Sequence, residues 1–154
     1  MRLHDWPSRL AATVKKAQGE PFAWGANDCC LFVCAAIEAL TGADPGREFR
    51  GRYDSALGGA KLAREICGST GSPPPSKSSG GGADGVEALA VYMAERHGFL
   101  EVPVYAAQRG DFGLLRQADG DLLGVCLGAE FAFVGEAGLG YRPTAAMARV
   151  WRVG

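Results

Sequence analysis

Residues 21–34 read Pro21-Phe22-Ala23-Trp24-Gly25-Ala26-Asn27-Asp28-Cys29-Cys30-Leu31-Phe32-Val33-Cys34, and the reading of the fold turns on them. Two aromatic residues, Phe22 and Trp24, lead into a turn at Gly25–Ala26. Asn27 or Asp28 can then cap a helix, because a short side-chain oxygen accepts the unpaired N–H groups of the first turn. From Cys29 to Leu40 the chain is almost wholly apolar, and Gly42 follows as a suitable terminating residue. A helix that is apolar nearly all round is a buried one, so the stretch predicts a central helix over 29–41. Cys29 then stands at a helix N-terminus, where the dipole and the free N–H groups lower a thiol's pKa. Two readings of this thiol stay open, a nucleophile or a small hydrophobe at the end of a core helix.

Upstream, residues 5–18 predict an amphipathic helix with Trp6, Leu10 and Val14 on one stripe, Pro7 in its first turn and Gly19 as its stop. Lys15 and Lys16 complement its dipole and read as a solvated face. Downstream, residues 43–54 are polar and turn-rich and predict a loop, with Phe49 and Tyr53 as anchors onto the core. A third helix is expected from Ser55 to Cys67, weakened at its start by Gly58-Gly59. The tract 68–85, GSTGSPPPSKSSGGGADG, has nothing apolar to bury and predicts a flexible Pro/Ser/Gly-rich loop inserted within one domain. Asp84 and Glu87 have capping-box spacing for a fourth helix, with Leu89, Tyr92 and Met93 as its stripe and Gly98 as its end.

After Phe99 the character changes to short strands, expected at 99–105, 110–115, 122–127, 130–134 and 147–153. Ala118-Asp119-Gly120-Asp121 reads as the hairpin turn between two of them. Helices first and an antiparallel sheet second make the fold class α+β.

Composition bounds the function. At 154 residues the chain reads as a single domain over 1–154, large enough to bury a core. The net charge is −1, with both signs spread along the chain, so no nucleic-acid footprint is visible. No apolar run reaches the length of a membrane span and the start lacks an apolar signal segment, which points to synthesis in a cytoplasm. The five cysteines are odd in number, and the adjacency of Cys29 and Cys30 is poor disulfide geometry, so free thiols are expected. Cys30 and Cys34 share a helix face, which keeps a metal- or cluster-binding reading open with Cys29 and with Cys67 or Cys126. No C-x-x-C pair supports it, and no cofactor is expected.

The run W-G-x-x-D-C-x-x-F-V, carried by Trp24, Gly25, Asp28, Cys29, Phe32 and Val33, resembles the nucleophile motif of papain-like, NlpC-type cell-wall cysteine peptidases. Cys30 and Leu31 replace the small Ser-Gly pair usual after that nucleophile. More closely, the chain is similar to small proteins encoded among bacteriophage tail genes. Those share T-G-x-D-P (Thr41, Gly42, Asp44, Pro45), R-G-x-Y (Arg50, Gly51, Tyr53) and A-x-R-G-D (Ala107, Arg109, Gly110, Asp111). The resemblance implies a papain-like NlpC-type fold, its Cys-bearing helix packed on the C-terminal sheet. It also implies Cys29 as the nucleophile position, with Trp24, Gly25, Asp28 and Asp111 supporting the motif.

A cysteine hydrolase also needs a base, usually a histidine that a third group orients. In the peptidases that histidine opens the strand matching Leu122–Gly128, and here its position reads Leu122. The two histidines of the chain are His4 and His97, and His97, at the expected end of the fourth helix, is the weak candidate base. Asp28 reads as an N-cap, Asp111 as a turn residue, and Trp24 as core or groove wall. The expectation is therefore a structural component of a phage or phage-like tail, in the tail tip or its assembly. Such a protein is made in the host cytoplasm, sits in the virion tail and contacts other tail proteins. Two alternatives stand beside it: an active cysteine amidase acting on peptidoglycan during genome delivery, and a metal- or cluster-binding tail component.

Overall fold

The computed structural model describes residues 1–68 and 85–154. Most of the expected loop over 68–85, with Asp84 of the expected capping box, lies outside the described residues.

The central helix forms where the apolar run predicts it, as α2 over Cys29–Thr41. Eight of its residues are buried, and Gly42 closes it in the left-handed region, its N–H donating to the Glu38 carbonyl. α1, Trp6–Gly19, lies against α2 and buries Leu10 and Ala17. Asp44 caps a short 3-10 turn, Pro45–Glu48, inside the expected loop by accepting from the Gly46 N–H. α3 spans Ala56–Gly68 and packs on α4, Val86–His97. Gly85 precedes α4 in the left-handed region, with no side-chain cap. Glu87, expected to act in a capping box, instead takes a two-pronged hydrogen bond from Arg116 and another from Arg149. A charged donor binds a carboxylate more strongly than a backbone N–H does.

Six strands follow: β1 Leu100–Val102, β2 Phe112–Leu115, β3 Leu122–Cys126, β4 Glu130–Gly135, β5 Gly138–Pro143 and β6 Arg149–Arg152. β1 is shorter than expected because Pro103, which has no N–H to give a ladder, starts a 3-10 turn over Val104–Ala106. β5 lies outside the expected strands: its Gly138, Gly140 and Pro143 carry the wrong propensity, yet it pairs with β4 along its whole length. The strands form one sheet in the order β1-β6-β2-β3-β4-β5, with every neighbouring pair antiparallel. The last strand of the chain is thus an inner one, and Trp151 stacks on Phe112 with ring centroids 5.1 Å apart. Four helices and a six-stranded antiparallel sheet make an α+β protein.

Alternation along the inner strands feeds two cores. Leu123, Val125, Ala132 and Val134 join the helices' apolar faces in one cluster. Cys126, Phe131, Phe133 and Val150 form a second, smaller cluster with Leu115 and Met147. α2 packs against β3 and β4, and α4 approaches β2 and β3. The β2–β3 and β4–β5 turns fall at the same end of the sheet, since β3 and β4 run in opposite directions. No helix among the described residues is long and apolar enough to cross a membrane.

Candidate functional site

The turn before α2 is held by one carboxylate. Asp28 is 1% exposed, and its Oδ1 accepts from the Leu31 N–H at 2.9 Å, the N-cap bond that starts the helix. Its Oδ2 accepts from the Gly25 N–H at 2.9 Å and from the Tyr53 hydroxyl. Gly25 has φ +78°, and a Cβ there would stand 2.0 Å from the Tyr53 carbonyl oxygen. The aromatic-Gly-x-x-Asp spacing therefore has a physical cause. Only glycine lets the Tyr53 backbone cross the turn, and the same tyrosine then closes on Asp28. Burial, with the nearby Cys30 and Asp28, pushes the Tyr53 phenol above its usual range, so it stays a donor.

Cys29 opens α2 with 7% of its surface exposed. Its Sγ lies 3.9 Å from that of Cys30. That contact, reinforced by burial, pushes the Cys30 thiol well up. Both face a cavity of about 440 Å³, within the size range of small-ligand sites. Phe22, Trp24 and Tyr53 supply aromatic wall, and α3, α4 and the two hairpin turns complete it. Trp24 meets Phe22 edge-on, with centroids 4.9 Å apart. It is thus a groove wall, half-buried.

Leu122, at the position where the resemblance implies a histidine, lines the cavity and packs against the second core cluster. Neither histidine lines the cavity. His97 is at the C-terminal end of α4, eight residues and about 12 Å of helix rise beyond Leu89 of the cavity wall. Its ring stacks on Phe99 with centroids 5.7 Å apart. His4 is exposed near the start of the chain.

Asp111 is also away from the cavity, fully buried. It accepts from Arg2, Arg152 and the backbone N–H groups of Gln108 and Val153. Beyond a turn residue, it ties the two ends of the chain together, with Arg2 also donating to the Val153 carbonyl at 2.8 Å. The remaining cysteines are scattered. Cys34 donates to the Met93 sulfur at 3.6 Å, and burial pushes the thiols of Cys34, Cys67 and Cys126 up. Among the described residues, no group of three or more His, Cys, Asp or Glu is arranged to hold a metal ion.

Sequence reasoning missed three acidic residues of this cavity: Asp119 and Asp121 on the β2–β3 turn, and Glu136 on the β4–β5 turn. The turn signal at 118–121 was visible, but not that the turn would face Cys29. Asp121 is buried and lies 3.6 Å from the Arg116 guanidinium.

A family model described as a domain of unknown function, DUF6950, matches residues 1–153. The chain belongs to this family. No curated protein and no solved structure matches the chain. The match spans the whole unit that carries the cavity, so α2, its turn and the sheet end facing it belong to the DUF6950 domain.

Proposed function

We propose that this DUF6950 protein is a structural component of a phage or phage-like tail, in the tip or its assembly, built on a degenerate NlpC-type cysteine-peptidase fold. One observation carries the reading: the cavity at Cys29 has the thiol and the aromatic wall but no histidine. The motif resemblance supplies the tail context. The thiol supplies a nucleophile position at the start of a helix. Peptide cleavage also needs a group that protonates the leaving amine, a contribution of about 10²–10⁴-fold. Asp28 does not offer it, since both its oxygens are engaged in holding the turn. Partners would be other tail proteins, and the site of action the virion tail after synthesis in the host cytoplasm.

The competing reading, a cysteine amidase acting on peptidoglycan, draws on one feature, a thiol opening onto a cavity of ligand size. The two are separated by alkylating Cys29 across the pH range in wild type and His97→Ala, with peptidoglycan fragments assayed in parallel. The expected result is one reactivity profile shared by both proteins, no fragment release, and normal particle assembly with Cys29→Ala. A thiolate reactive at neutral pH that disappears in His97→Ala, together with turnover, would replace the structural reading by the enzymatic one.

A further inference from the structure

We propose that the Cys29 cavity is a docking pocket for an extended segment of a partner protein that carries a lysine or arginine flanked by apolar side chains. The inference deepens the tail-component reading and rests on it for the partner being a protein.

The argument is one of charge and shape. The described cavity wall holds four carboxylates, Asp28, Asp119, Asp121 and Glu136, and no lysine, arginine or histidine. Two of these are already committed. Asp28 accepts from Gly25, Leu31 and Tyr53, and Asp121 faces Arg116. Asp119 and Glu136 are different. Both are exposed, and neither makes a hydrogen bond or ion pair with another described residue. They stand on the two hairpin turns at the same end of the sheet and line a cavity whose other walls are largely aromatic and aliphatic.

That layout suits a side chain with a long apolar stem and a cationic head, because lysine and arginine bury their methylenes while keeping the charge near water or a carboxylate. The aromatic and aliphatic wall takes the apolar side chains that flank it. An anionic segment would meet uncompensated carboxylates, which disfavours it by like-charge repulsion. A volume of about 440 Å³ accommodates a few side chains of an extended strand rather than a folded domain. Cys29 contributes only its sulfur surface to this pocket and forms no bond with the occupant.

The test uses capped pentapeptides, leucine-alanine-X-alanine-leucine, with X as lysine, arginine, norleucine or glutamate. Binding is read from Trp24 fluorescence in a Trp6→Phe, Trp151→Phe background, and by calorimetry on the unaltered protein. The lysine and arginine peptides should bind about fivefold tighter than the norleucine peptide, from two partly exposed charge pairs. The glutamate peptide should be weakest, and the preference should shrink as salt is raised. Asp119→Asn with Glu136→Gln should abolish the preference while leaving the far-ultraviolet circular dichroism unchanged. Cys29→Ala should leave it intact. Equal binding of all four peptides, binding of none, or an undiminished preference in the double variant would each overturn the proposal. Cleavage of a bound lysine peptide would overturn the tail-component reading and leave the pocket assignment standing.

Discussion

Gly25, Asp28 and Tyr53 together hold the turn before α2, through the Gly25 N–H and the Tyr53 hydroxyl donating to the Asp28 carboxylate. Gly25 cannot be exchanged for any residue with a Cβ, because a methyl would stand 2.0 Å from a backbone oxygen at a positive φ. Gly25→Ala is expected to cost more than about 3 kcal/mol, seen as loss of the cooperative urea transition or a large fall in its midpoint. Tyr53→Phe removes one of three donors to a buried carboxylate. It should destabilise by about 1–2 kcal/mol, and Asp28→Ala by more, because the helix also loses its cap. If Tyr53→Phe unfolds at the wild-type urea midpoint, the phenol–carboxylate bond is not what holds the turn. The cap was legible from the position of Asp28 before an apolar run. Its second partner was not, because Tyr53 lies 25 residues away and no local pattern pairs them.

At the element scale, α4 is fastened to the sheet by charge as well as by apolar contact. Glu87 on α4 binds Arg116 beyond β2 and Arg149 on β6, and Arg149 also binds Glu101 on β1. The Arg116 bond, reinforced by Arg149, holds the Glu87 carboxyl below its ordinary value of 4.5, and Arg149 does the same for Glu101. Carboxyls with depressed folded-state values stabilise the fold above their unfolded value, and the contribution is lost as pH falls through the folded value. Wild-type stability is therefore expected to decline as pH drops below about 4.5. Glu87→Gln should be less stable than wild type at neutral pH and converge on it in acid, as urea midpoints across that range would show. A constant difference at every pH would mean that Glu87 acts by packing alone. The helix boundaries were legible because burial and terminators coincide in the chain. The partners of Glu87 were not, since spacing to Asp84 suggested a local role that two arginines on other elements supersede. β5 was illegible for another reason: its conformation comes from pairing with β4, against its glycine and proline content.

For the whole molecule, Asp111 is the point where the chain's two ends meet. Arg2 and Arg152 both pair with it, and the Val153 N–H donates to it. Asp111→Asn leaves two guanidinium groups facing a neutral amide and should cost about 3 kcal/mol. Loss of hydrogen-exchange protection should be concentrated in β6 and the first residues. Uniform loss across α2 as well would show that the cluster supports the central helix and not only the junction of the ends. From the sequence, Asp111 was a turn residue, because neither arginine is near it in the chain.

The helices, the α+β class and the place of Cys29 at the start of a buried helix are readable from the chain alone. Those depend on local rules: apolar periodicity, caps and glycine terminators act over one or two turns. The strand order, the insertion of β6 beside β2, and the cavity in which Cys29, Trp24 and the two acidic hairpin turns meet emerge only on packing. The sheet is specified by pairing between residues far apart in the chain, and burial against a partner outweighs local propensity there. His97 shows the difference most plainly: its position on a helix end could be read from the chain, but its distance from Cys29 is a property of the packed fold.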